Sequence, residues 1–209
     1  MAGEVTSSLN LLSVENKHVS ETAEYARSKL ALESKKIPID LGSLRIFDSA
    51  SNAVLPNTAA SDDLGYVLGT AGTTANSIQT SDAKATTVTQ KASFVLPGLP
   101  IEYEAGGTVS LVAHAGMLTT VSDTTATIDF TVYEKGIADF THGSDLVTTV
   151  ATTINSLTLA AKPFVVTPTG FVNGSELYAL MTIAITDGAT GTAVIGLITQ
   201  MYWLVQVRG

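Results

Sequence analysis

Ala126-Thr127-Ile128-Asp129-Phe130-Thr131-Val132-Tyr133 alternates apolar and polar side chains without a break. Successive side chains of an extended chain point to opposite faces, so this period of two predicts a strand with one dry face and one wet face. Runs of the same kind lie on either side of it. Thr87–Leu96 carries Val88, Ala92, Phe94 and Leu96 in one register, and Thr108–His114 alternates around Val109, Leu111 and Ala113. Leu177–Thr186 places Leu177, Ala179, Met181, Ile183 and Ile185 on one side, and Ala193–Val207 is apolar on both. A strand dry on both faces is central in a sheet or lies at a subunit contact. Asp187-Gly188-Ala189-Thr190-Gly191 reads as the turn of a hairpin joining these last two strands. Weaker strands are expected at Ile37–Leu41, Leu44–Phe47, Asp62–Leu68 and Asp145–Thr153, and an edge piece interrupted by Pro163 at Leu157–Val166. The polar stretch Gly69–Asp82 reads as a loop. About eight strands in this arrangement fit an all-β, jelly-roll-like antiparallel β-sandwich better than a small barrel.

The totals agree. A chain of 209 residues suits one β domain with an appendage, and burial at this size approaches about 70% of the extended-chain surface. Thr is abundant, with 28 copies in residues 37–209, and β-branched residues favour a pleated surface. The chain has no Cys, which excludes disulfide scaffolds and thiolate chemistry. The first 36 residues balance five Lys/Arg against five Glu, whereas residues 37–209 hold six basic groups against fourteen acidic ones. A phosphate backbone attracts the opposite field, so no nucleic-acid partner is expected of the body. Met1–Val5 lacks the basic start and apolar core of a secretory leader. Apolar runs such as Leu177–Met181 fall far short of the roughly 18 residues of a membrane span, so no membrane partner is expected either.

Residues 1–36 form a separate arm. Ser20 is a candidate N-cap, Glu21 and Glu24 fall in a first turn and Lys29 follows, which predicts a short helix over about 20–34. Its apolar side is thin, so it is marginal alone in water. Two readings stand: a helix packed on its own domain, or an arm that becomes ordered on another subunit. In the second, the contact residues are Leu11, Leu12, Val14, Val19, Tyr25, Leu30 and Leu32.

No constellation names a reaction. Asp139, His142 and Asp145 lie within seven residues, but their spacing is that of an ordinary turn and not of a full calcium loop. Glu102 and Glu104 share a strand face, as a glycosidase pair might, yet solvated edge charges explain them as well. Gly69–Thr74 lacks the Gly-Lys-Ser/Thr ending of a phosphate cradle, and there is no Gly-x-Ser-x-Gly. Asn173-Gly174-Ser175 reads as a turn, Asp129 as a solvated strand residue, and Trp203 as core or interface packing. No catalytic residue, cofactor site or metal site is therefore assigned.

Several stretches taken in order resemble a family of tailed-phage virion proteins, the jelly-roll capsid decoration or cement proteins. They are Ile37–Asp48 (IPIDLGSLRIFD), Asp63–Thr70 (DLGYVLGT), Phe94–Tyr103 (FVLPGLPIEY), Ala105–Leu111 (AGGTVSL), Ala126–Tyr133 (ATIDFTVY), Ser144–Thr149 (SDLVTT) and Gly174–Leu177 (GSEL). The resemblance spans residues 37–209 and rests on turn-plus-strand signatures. Ser175-Glu176 departs from the Asp expected in that turn. The resemblance implies a bacteriophage structural protein on the outer surface of the virion capsid, a homotrimer clamping neighbouring major capsid protein subunits without catalysis. The alternative is a carbohydrate- or receptor-binding module of a head fibre or tail.

Overall fold

The computed structural model describes residues 32–47, 53–100, 102–103, 106–135, 142–167 and 176–208. Among them are ten strands: β1 (Leu32–Ile39), β2 (Gly65–Val67), β3 (Ser77–Gln79), β4 (Thr87–Leu96), β5 (Val109–Met117), β6 (Thr125–Lys135), β7 (Thr152–Thr153), β8 (Ala160–Val166), β9 (Glu176–Thr186) and β10 (Gly196–Arg208). They form an antiparallel β-sandwich. The six-stranded sheet runs β2-β3-β10-β5-β8, with β1 also paired to β10, and the four-stranded sheet runs β4-β9-β6-β7.

β6 follows the period read from its sequence. Ala126, Ile128, Phe130 and Val132 are buried, while Thr127, Asp129, Thr131 and Tyr133 are half-buried. The dry faces of the two sheets meet in one core. On the six-stranded side, Ile37, Trp203, Leu111 and Phe164 stand in one cross-strand row. Phe164 meets Phe130 of the opposing sheet edge to face at 4.9 Å, and Phe130 meets Phe94 at 6.4 Å. Such contacts add to plain area burial. Trp203 is fully buried, and its indole N–H finds no acceptor among the described residues. β10 is central, with β5 along one edge and β3 and β1 sharing the other; its inward side is buried, while on the outward side Tyr202 is buried, Leu204 and Gln206 are half-buried and Gln200 is exposed.

Four expectations are corrected. β9 and β10 do not form a hairpin, because they belong to different sheets. Their connection is a corner held by Asp187, whose carboxylate accepts from the N–H groups of Ala85 (2.8 Å) and Asp123 (3.2 Å) and from the Thr190 hydroxyl. The Thr190 hydroxyl is the chief reason the Asp187 carboxyl sits low, at about 2; the two backbone donors add to it, and burial opposes it. Second, Asp145–Thr153 is not one strand. Asp145 bridges Tyr133 of β6, Val147 bridges Val166 of β8, and only Thr152–Thr153 pairs as β7. The segment crosses between sheets, pinned by Asp145 accepting from the N–H groups of Val132 (3.1 Å) and Val147 (3.0 Å). Third, the loop over Gly69–Asp82 contains β3, with Ile78 buried against Ile198 of β10. Fourth, Leu32–Ser34 are extended as the start of β1, so the helix expected over about 20–34 does not reach them. The rest of that helix, with Leu11, Leu12, Val14, Val19, Tyr25 and Leu30, lies outside the described residues.

Candidate interaction surface

The outward side of the six-stranded sheet is built by register. Pro38, Tyr202, Val112 and Pro163 form one row across β1, β10, β5 and β8. Lys36, Leu204, Ser110 and Val165 form the next. On the far side of the Pro38 row, His114 of β5 stands between Gln200 and Ala161. Val112 and Tyr202 are buried on this face, although it looks away from the core. The Tyr202 ring takes Lys36 Nζ at 4.8 Å from its centroid and the tilted His114 ring at 5.9 Å. A cation over a tyrosine face is favoured by the ring quadrupole. The strands place no carboxylate at the described outward positions of this sheet.

β8 edges this face, and Pro163 explains how. Val165 N–H donates to Thr149 Oγ1 at 2.9 Å and Thr167 N–H to the Leu146 carbonyl at 2.8 Å, so this parity points away from β5. Pro163 shares that parity and offers no donor, where a ladder partner is not needed. Beyond β8 the face continues: a Cβ on Gly116 would lie 3.1 Å from Leu159 and 2.8 Å from the Ser156 carbonyl, so Leu159 roofs a glycine.

The outward side of the four-stranded sheet is chemically different. Thr87, Thr186 and Thr125 form one row, Thr89, Ala184, Thr127 and Thr153 another, and Lys91, Thr182 and Asp129 a third. Burial raises the Asp129 carboxyl, the Phe130 N–H lowers it in part, and the charge of Asp145 adds to the rise. At one end, Val95, Tyr178 and Tyr133 stand side by side. The His142 ring lies nearly parallel to both tyrosines, 5.8 Å from Tyr133 and 4.9 Å from Tyr178.

The residues singled out from sequence therefore do not converge. Leu32 of the arm set is exposed at the start of β1. Glu102 is exposed and faces Lys35 at 3.5 Å; a backbone N–H first, then the lysine charge, lowers its carboxyl. Glu104 and Asp139 lie outside the described residues, as does Asn173-Gly174-Ser175. His142 stacks on tyrosines while Asp145 holds backbone, and Trp203 is core. Among the described residues no three metal-ligating groups gather. Lys36 and the apolar side of β8 were not singled out, and Tyr202 was weighed only as a stacking partner beside Trp203. Their signal was present as the odd-numbered series Leu157, Leu159, Ala161, Pro163 and Val165, but Phe164 and Val166 beside it are equally apolar and hide the parity. The chain matches no protein-family model and no curated protein.

Proposed function

We propose that this protein is a structural, non-catalytic virion protein that decorates an assembled phage capsid as a homotrimer and bridges neighbouring major capsid subunits. The observation that carries the reading is the outward face of the six-stranded sheet, where Pro38, Tyr202, Val112, Pro163, Leu204 and Val165 surround the single cation Lys36, a composition that suits contact with another protein. The strand order supports a jelly roll. Rows β1-β10-β5-β8 and β4-β9-β6-β7 alternate between sheets in the manner of two interleaved Greek keys. The family resemblance along residues 37–209 supports the virion setting. Binding to assembled shell but not to free subunits stabilises the shell by mass action, and three linked copies gain avidity without tight single contacts.

Size-exclusion chromatography with light scattering tests the oligomer: the expected mass is three copies of the 21.7 kDa chain, and a monomer counts against the reading. Deleting residues 1–31, which stops short of β1, should weaken shell binding; an equally effective truncated trimer removes the arm from the mechanism. The second reading, a glycan- or receptor-binding module, is favoured by the Tyr133, His142 and Tyr178 stack, since flat aromatic faces suit sugar rings. Soluble glycan arrays separate the two, because the cement role predicts no signal.

A further inference from the structure

We propose that the Asp187-Gly188 bond is a latent modification site, prone to isomerise to isoaspartate, and that the Asp123 carboxylate keeps it intact in the folded chain. The inference concerns the corner between the sheets and does not depend on which partner the outward faces take. Asp-Gly occurs once in the sequence, at this corner. The nitrogen that follows an aspartate can close a five-membered ring on the side-chain carboxyl, and a glycine puts no Cβ in its way. A bond forms between Gly188 N and Asp187 Cγ, and a carboxyl oxygen leaves as water with the acid proton and the amide proton. Water then opens the cyclic imide. Attack at the original peptide carbonyl breaks its bond to Gly188 N and leaves the chain running through Cβ and Cγ, one methylene longer, with no net change in composition.

The geometry shows why glycine stands here and what holds the bond. Gly188 lies outside the left-handed region, so its own conformation does not call for glycine. Asp123 does, since a Cβ at position 188 would lie 3.2 and 3.3 Å from its two carboxylate oxygens. The same close approach ties up the nucleophile. Asp123 Oδ1 accepts from the Gly188 N–H at 2.5 Å and Oδ2 from the Ala189 N–H at 3.0 Å. Attack requires the Gly188 nitrogen to lose its proton, and an amide anion beside a carboxylate is opposed by like charge. The electrophile is held as well. Asp187 is 3% exposed, with one oxygen on the Ala85 N–H and the other on the Asp123 N–H and the Thr190 hydroxyl. These donors favour the ionised carboxylate, the poorer electrophile, and fix the side chain against rotation toward Gly188. Asp123 therefore acts twice, with its N–H on Asp187 and its side chain on Gly188. Gly188 itself is exposed, so exclusion of water is not the protection.

The test follows isoaspartate at residue 187 through prolonged warm incubation of the full chain, by peptide mapping that separates the two isomers by retention. The wild type should form it slowly when folded and faster in urea, where both carboxylates are released. Asp123→Ala, incubated under conditions where its melt shows it folded, should form it about tenfold faster or more, the scale of one lost charge-assisted hydrogen bond. Asp123→Asn keeps an acceptor oxygen without the charge and should fall between; it carries the test if Asp123→Ala does not fold. Amide exchange at Gly188 and Ala189 should be slow in the wild type and faster in both variants. Asn155→Ala is the control, because it removes the 2.8 Å bonds of Asn155 to the Ser122 N–H and carbonyl and so loosens the same corner without touching Gly188. Its rate should stay close to that of the wild type. A folded Asp123 variant that isomerises no faster than the wild type overturns the proposal. So does Asn155→Ala matching Asp123→Ala, which would make general looseness the cause, or a wild type that isomerises as fast folded as unfolded.

Discussion

The two outward faces of this sandwich have the same strand geometry and opposite chemistry. On the four-stranded sheet the outward positions are mostly threonine, which satisfies a pleat and meets water at once. On the six-stranded sheet Val112, Tyr202, Leu204, Pro38, Pro163 and Val165 stand among Ser110, Gln200 and Gln206, with Lys36 as the cation. An antiparallel sheet that serves only its own core leaves one side for solvent. The threonine face fits that description, and the other does not. The difference teaches that the core is not the only apolar surface this sequence specifies, and that the surplus is confined to one side.

The contrast can be tested on β8 alone, whose two sides are core and outward face. Phe164→Ala should cost about 3–5 kcal/mol in urea unfolding, as a fully buried aromatic does. Val165→Ala on the outward side should cost about 1 kcal/mol or less. Equal costs would erase the distinction between inside and outside. Gly116→Ala comes next, at about 1–3 kcal/mol, because the added methyl meets the Ser156 carbonyl at 2.8 Å, a backbone atom that cannot rotate away. A neutral outcome there would mean that Leu159 does not roof the face.

The corner between the sheets gives a pH signature. The Asp187 carboxyl lies at about 2 in the folded chain against an ordinary 3.8, so its contribution is present above about 3.8 and is lost as pH falls through about 2. Wild type should therefore lose urea resistance across that window, and Asp187→Asn, already weaker near neutrality, should lose less; parallel curves would deny the corner its role. Smaller still is the Lys36 and Tyr202 pair, where a double-mutant cycle should give a coupling of about 0.5–1 kcal/mol. Smallest is Thr89→Val on the threonine face, within about 0.5 kcal/mol.

Much of this fold was legible in the sequence wherever one face was dry and the other polar. β4 and β6 were read almost to the residue because Val88, Phe94, Ile128 and Phe130 alternate with Thr, Ser and Asp. The failures share a cause: the chain changes sheet. Asp187-Gly188 looks like a hairpin turn, and only the N–H groups of Ala85 and Asp123, distant in sequence, make it a corner. Asp145–Thr153 reads as one strand, but its hydrogen bonds are divided between β6 and β8. β3 has a single apolar anchor, Ile78, too little to show a period. The interaction face was least legible, since Tyr202 sits in β10, apolar on both sides, where alternation carries no information, and Val112 is a lone apolar residue between Ser110 and His114.

β10 touches β1, β3 and β5, and every one of those partners precedes it in the chain. The six-stranded sheet consequently cannot close while the polypeptide is being made, until residues 196–208 have left the ribosome. Up to then β1 has no strand to pair with and β5 has only β8, and the growing chain must be kept from pairing their open edges wrongly. Emergence of β10, not of the first hydrophobic segment, sets the moment at which this sheet closes.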